Sequence, residues 1–243
     1  MNKKRGFLLS LIIIMGLLIL IIAIIAFAAR NQLSSIISPK ASDITGVQIY
    51  VENCIDAVAK YSAYRVGKQG GSIFLRHGHF SAPFLETNYA FDNVKRFPEL
   101  GEIQREMEQF ISGNLKKCTA EFRGFALQGI SVEEAGDVSA QVIFGARSTL
   151  ISVIYPLRIT YEDKTFALER FQKDIPVTLK KIHSDTDRFL GISPPEDGYD
   201  LLFLGEMDAN VYIAPFGESD LFVQERLDSR MNAGSYLFIF AVR

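Results

Sequence analysis

Residues Phe7 to Ala29 run for 23 positions without a charged side chain, and only Ser10 and Gly16 break the apolar run. At 1.5 Å rise per residue such a helix is roughly 35 Å long, enough to cross a ~30 Å hydrocarbon core with some tilt. No soluble fold accommodates that stretch easily, so it divides the chain before anything else is considered. Lys3, Lys4 and Arg5 stand immediately before it. The positive-inside rule then predicts a cytoplasmic N-terminus and an exported remainder. The expected order is a basic stub (1–6), a transmembrane signal-anchor (7–29), a helix end and linker (30–42) and an extracytoplasmic domain (43–243). This describes a single-pass protein of the cell membrane, with the lipid bilayer as the partner of residues 7–29. A cleaved secretory signal competes with it, because Ala26-Phe27-Ala28 fits a small-x-small cleavage site after Ala28. Cleavable apolar regions run about 7–15 residues, however, and this one is longer.

The junction resembles a third kind of N-terminus. Lys4-Arg5-Gly6 followed by Phe7 and a long apolar helix is similar to the class III signal peptides of type IV pilins and related archaeal surface proteins. That resemblance implies a cut between Gly6 and Phe7 and a helix that packs into a filament core. The acidic residue expected five positions after the cut is absent, and Leu11 stands there instead. Leu33, Ile36 and Ile37 add about one amphipathic turn before Pro39 stops the helix.

Beyond the span the charge is mildly acidic. The whole chain of 243 residues holds 26 Lys and Arg against 28 Asp and Glu. With Lys3, Lys4 and Arg5 set aside, 23 basic residues face those 28 acidic ones, a net of −5. No basic block is present to hold nucleic acid, so none is expected as a partner. Ser38-Pro39-Lys40-Ala41-Ser42 reads as a short linker, and no repeat or low-complexity segment comes after it.

Periodicity predicts an α+β domain with about three helices packed on a largely antiparallel sheet. A helix is expected from Asp43 to Gly67, with Asp43 as N-cap and Val47, Val51, Cys54, Ile55, Val58 and Tyr61 on one stripe. Gly67, Gly70 and Gly71 are read as its positive-φ stop. A second helix is expected from Leu100 to Glu121, striped by Ile103, Met107, Phe110, Ile111, Leu115 and Cys118. From Gly124 the period falls to two. Val138–Phe144 and Leu150–Ile154 read as a strand pair across Gly145-Ala146-Arg147, and Leu157–Tyr161 and Phe166–Phe171 as another across Glu162-Asp163-Lys164. A third helix is expected from Pro176 toward Leu190. Residues 72–98 read as a strand and then irregular chain.

Cys54 and Cys118 are the only cysteines. In an exported domain two thiols on apolar helix stripes are natural disulfide partners, while the alternative is two buried small hydrophobes that never meet. Arg76-His77-Gly78-His79 alone has metal-ligand character. In an extended segment both imidazoles point to one side and could share Zn²⁺ or Cu²⁺ with a third ligand such as Glu86 or His183. The competing view is a polar loop. Gly67-Lys68-Gln69-Gly70-Gly71-Ser72 lacks the Lys-Ser/Thr pair of a phosphate loop. No Gly-x-Ser-x-Gly elbow and no cofactor fingerprint occurs, so neither an enzyme nor a bound cofactor is expected.

Taken in order, several short motifs resemble a group of uncharacterised membrane-anchored surface proteins of small-genome archaea. They are Lys3-Lys4-Arg5-Gly6, Val51-Glu52-Asn53-Cys54, Gly67-Lys68-Gln69-Gly70-Gly71, Glu106–Cys118, Ile154-Tyr155-Pro156-Leu157 and Tyr236–Val242. The resemblance implies a surface protein with one cysteine in each of two helical segments and carries no activity. The expected function is a non-catalytic binding or scaffolding ectodomain with an unknown protein or cell-envelope partner. A pilin-like filament or secretion-apparatus subunit, and a surface hydrolase or metal-binding protein, are the alternatives.

Overall fold

The computed structural model describes residues 44–192, 198–231 and 234–243. The chain divides into two compact units, Met1–Gly46 and Val47–Arg243. The apolar span, the processing positions Gly6 and Phe7 and the charges Lys3, Lys4 and Arg5 lie outside the described residues, as does the expected N-cap Asp43. Among the described residues no helix is long and apolar enough to cross a membrane. The second unit is α+β.

Helix α1 (Ile44–Lys68) buries Val47, Val51, Ile55, Ala59, Ala63 and Val66, a stripe of threes and fours. It is followed by four short strands: β1 (Phe80–Ala82), β2 (Leu85–Thr87), β3 (Tyr89–Asp92) and β4 (Val94–Lys95). Residues 72–98, expected as a strand and irregular chain, are therefore a hairpin and two sheet strands. Their sequence hides this because the pins are remote. The Asn88 amide bridges the backbone of Gln69, Phe74 and Arg76, and the Glu106 carboxylate accepts from Ser72 Oγ and Ile73 N–H.

Helix α2 (Leu100–Thr119) sets Ile103, Met107, Ile111 and Leu115 inward. It ends two residues before the expected Glu121 because Ala120, Glu121 and Phe122 all adopt left-handed φ, between 45° and 57°. Three consecutive non-glycine residues in that region carry real backbone strain. The Phe122 ring, packed 6.1 Å from both Tyr50 and Tyr155, holds the turn. A short helix α3 (Arg123–Ala126) leads into β5 (Ile130–Glu134), β6 (Ser139–Phe144), β7 (Thr149–Tyr161) and β8 (Lys164–Ile175).

In this second sheet β5 and β6 pair with successive halves of β7, and β8 pairs along its other side, all antiparallel. Both expected hairpins form. Pro156 explains the break between the halves: it has no N–H to give, so β8 answers Tyr155 and Pro156 with the single residue Glu169, a bulge.

Helix α4 (Leu179–Ile192) begins three residues after the expected Pro176. Thr178 is the reason, since its carbonyl accepts the first helical bonds and its hydroxyl pairs with Ser229. A short helix α5 (Leu201–Glu206), capped by the Asp200 carboxylate on Phe203 N–H, precedes β9 (Asn210–Phe216), β10 (Ser219–Met231) and β11 (Gly234–Val242). These strands complete a five-stranded sheet in the order β4-β3-β11-β10-β9, parallel only at β11–β3.

Candidate functional site

Cross-strand register assigns the paired residues of β9, β10 and β11 to a face, because directly paired residues share one. Val211, Gln224 and Phe238 form one inner row, and Ile213, Phe222 and Phe240 the next. Helix α4 covers this side: Phe189 lies 5.1 Å from Phe222, which stacks at 5.1 Å on Phe240. Arg226 also belongs to it and is 0% exposed. Its guanidinium is held in a fork by Asp228 (3.1 and 3.2 Å) and reached by Asp185 at 3.0 Å, so the buried charge is paired.

The outer face carries Tyr212-Val223-Ile239, Ala214-Leu221-Ala241 and the Asn210-Glu225-Leu237 row. It is mostly apolar, yet Tyr212 (55%), Phe216 (51%) and Leu237 (45%) remain open to solvent. Glu225 accepts from Tyr212 Oη and Asn210 Nδ2, both at 3.2 Å. That bond to the carboxylate raises the Tyr212 phenol above its ordinary value.

Helix α1 stands beside this face because Gly67 permits it. Gly67 is helical, not a positive-φ stop; Gly70 (φ 67°) and Gly71 (φ 89°) take that role. A Cβ on Gly67 would strike the Leu237 carbonyl and lie 2.7 Å from Tyr236 Oη. The Tyr236 hydroxyl in turn donates to Ala63 O at 2.8 Å, and burial pushes its pKa up.

The gap between the exposed flank of α1 and β11 is a groove of about 670 Å³. Leu237, Ile239 and Ala57 give it an apolar floor, and Tyr61 and Tyr64 a wall. The two rings stack at 6.2 Å with 24° between planes, and Tyr61 rests at 5.9 Å on Phe110 of α2. Asp56, Lys60, Tyr64 and Lys68 recur every four residues along the helix, which aligns them on the rim. Lys60 is paired with Asp56 at 2.7 Å. Among the described ion pairs Lys68 has no partner, so it offers a cation at one end. The groove is suited to holding a flat apolar group with an anionic end.

No family model, curated protein or solved structure matches the chain.

Of the site residues expected from sequence, the structure brings together Cys54 and Cys118, at disulfide-bonding distance with Cα atoms 5.7 Å apart. The bridge ties α1 to α2 beside Tyr50, whose hydroxyl bonds the Cys118 and Thr119 carbonyls at 3.2 Å. His77 and His79 do not form the extended pair expected. Gly78, with φ 74°, turns the chain between them. His79 Nδ1 meets the Arg76 carbonyl at 3.1 Å, and its other nitrogen lies 4.0 Å from Glu86. Arg76 and Arg96 line the same small pocket, which disfavours a cation. His183 is elsewhere, stacked on Phe97 at 4.9 Å and bonded to Pro98 O. Among the described residues no group of three His, Cys, Asp or Glu is placed to hold a metal.

Sequence reasoning misses the groove. Helical spacing places Tyr61 on the buried stripe of α1, and nothing local announces that Tyr64 stacks beside it. Gly67 is no usable signal by itself, because Gly113 is also helical and has open space around it.

Proposed function

We propose that the protein is a single-pass, outward-facing cell-surface protein whose folded domain is a non-catalytic binding module, with the Tyr61–Tyr64 groove as its ligand site. The observation that carries this reading is the half-exposed apolar floor beside two stacked tyrosines and a lysine. Such convergence of apolar surface with few polar groups is the usual character of a ligand cleft. The lining holds one carboxylate, already paired with Lys60, and its one serine hydroxyl, Ser235, is bonded to the Glu225 carboxylate with no histidine in the lining to complete a relay. Binding is therefore favoured over chemistry. The ligand class is an aromatic or alkyl group bearing a negative charge.

The test uses full-length protein in lipid nanodiscs, with empty nanodiscs as blank and 4-phenylbutyrate as probe. Saturation-transfer NMR should show saturable binding that Tyr61→Ala and Leu237→Asp abolish. Lys68→Gln should weaken the carboxylate but not 4-phenylbutanamide. Binding unchanged by all three substitutions would remove the groove as the site. Protease applied to intact cells should digest the folded domain and spare a tag on residues 1–6; the reverse result would overturn the topology.

A further inference from the structure

Among the described strands, the edges of the two larger sheets are protected in different ways, and β9 is the least protected. The open edge of β11 is covered by Gly67 of α1 against the Leu237 carbonyl and by Thr87 Oγ1, which donates to Ile239 O at 2.8 Å. On β6 the Val142 N–H is taken by the Glu108 carboxylate at 3.0 Å. Charge guards β8, through Lys164, Glu169, Arg170, Lys173 and Asp174. β4 is two residues long and ends in Lys95, which is paired with Asp187. β5 ends in Glu133 and Glu134. These are the standard protections against edge-to-edge pairing. Strand β9 (Asn-Val-Tyr-Ile-Ala-Pro-Phe) has no charge in seven residues and lies at the end of its sheet, exposed along nearly its whole length; its single guard, Pro215, stands near its C-terminal end and leaves 210–214 open.

Its free hydrogen-bonding groups can be assigned. Phe216 and Ser219 close a two-residue turn over Gly217 (φ 66°) and Glu218. The closing pair of such a hairpin is hydrogen-bonded, and bonded and non-bonded pairs alternate from there. Ala214, Tyr212 and Asn210 therefore bond to β10. Pro215, Ile213 and Val211 point their backbone groups outward. Pro215, which has no N–H, occupies an outward position, as this assignment requires.

We propose that β9 pairs antiparallel with β9 of a second copy about a two-fold axis at Tyr212. In that register Val211 and Ile213 of each copy exchange both N–H···O=C bonds with Ile213 and Val211 of the other. Centring on Ile213 would instead set Val211 against Pro215 and leave both Val211 carbonyls without a donor. The strand suits itself in side chains too. Tyr212 faces Tyr212, Val211 faces Ile213, Asn210 faces Ala214, and no like charges meet. The result is a closed, self-complementary interface joining two five-stranded sheets into one of ten. This inference is independent of the groove and its ligand.

Disulfide trapping tests it in full-length protein in membranes. With Cys54 and Cys118 bonded to each other, an introduced cysteine supplies the one free thiol. Tyr212→Cys places two sulfurs on a non-hydrogen-bonded pair, with Cα atoms about 4.5 Å apart, within disulfide reach. Ala214→Cys places its pair four residues out of register, roughly 13 Å apart. The expected result is a reducible dimer at least tenfold more abundant for Tyr212→Cys than for Ala214→Cys. Adding Ile213→Pro should lower the Tyr212→Cys dimer at least tenfold. Overturning results are no Tyr212→Cys dimer, an equal yield from Ala214→Cys (collision or pairing elsewhere in the chain), or a dimer that persists with Ile213→Pro in a protein of wild-type circular dichroism. If Ile213→Pro does not fold, the comparison of the two cysteine variants decides alone.

Discussion

Helix α1 sits where it does because residue 67 has no side chain, and this gives a test with opposite signs at two glycines. Gly67→Ala introduces a methyl that overlaps the Leu237 carbonyl and comes within 2.7–2.8 Å of the Tyr236 ring end. The carbonyl is backbone and cannot swing away, so the helix or β11 must shift. Overpacking of this kind costs about 1–3 kcal/mol. Moving Tyr236 also breaks its buried bond to Ala63 O, which adds about 1–3 kcal/mol for the orphaned groups. Alanine regains at most ~1 kcal/mol of helix propensity, and less at the penultimate residue of the helix. The net loss is about 3 kcal/mol. For a domain of this size that is roughly a 6–12 °C fall in Tm. Gly113 is also helical, on the exposed side of α2, with nothing within 4 Å of an added Cβ. Gly113→Ala should gain up to ~1 kcal/mol, a rise of roughly 2–4 °C. Near-ultraviolet circular dichroism of the tyrosines in detergent-solubilised full-length protein reads both. A Tm for Gly67→Ala within 1 °C of wild type, or equal losses at the two sites, would refute the close approach.

Three further outcomes are expected. Cys54→Ser with Cys118→Ser opens a loop of 64 residues and should lower the urea unfolding free energy by about 4 kcal/mol on the chain-entropy model. Asp228→Ala removes the bidentate partner of a guanidinium that is itself fully buried and should cost about 3 kcal/mol; Arg226→Met, which leaves no buried charge, should cost less, and the reverse order of urea midpoints would contradict the pairing. Burial works against the Glu134 charge, but bonds from Tyr155 (2.6 Å) and Lys116 (2.9 Å) outweigh it and hold the carboxyl below its ordinary 4.5. A depressed native pKa contributes stability that is present above pH 4.5 and lost as pH falls through the native value. The Tm gap between wild type and Glu134→Gln should accordingly be widest near pH 7 and narrow progressively below pH 4.5, and a gap independent of pH would count against it.

Helices α1 and α2 are legible in the sequence because each has a single buried apolar stripe, which includes Cys54 in α1 and runs beside the half-buried Cys118 in α2. The β6–β7–β8 meander is legible because Ile151, Val153, Leu157 and Ile159 alternate inward. Strand β10 is not, and its inner row explains why. The residues that point inward after Phe222 are Gln224 and Arg226, polar types that break a two-residue hydrophobic period. Gln224 bonds Thr186 and Arg226 bonds Asp185, partners some forty residues away. Asp200–Leu204 is a short apolar run in sequence, though the Asp200 cap marks a short helix. Strand β9 is hydrophobic enough to be noticed, but sequence alone does not distinguish an apolar strand that is buried from one on display.

That distinction links the groove to the β9 edge, because both belong to one sheet and one face of it. In the paired sheet the strand order from groove to groove would be β11-β10-β9 and then β9-β10-β11 of the second copy. Five inter-strand steps of about 4.8 Å separate the two β11 strands, roughly 24 Å, before twist is considered. Across that distance the outer rows Tyr212-Val223-Ile239 would run continuously through the axis. A ligand carrying two anionic apolar ends on a tether spanning about 24 Å could then engage both grooves, and a second end bound within one complex gains affinity through effective concentration alone. Loss of that gain in Ile213→Pro, with single-ended binding intact, would trace it to the strand pairing; its loss in Tyr61→Ala would trace it to the groove.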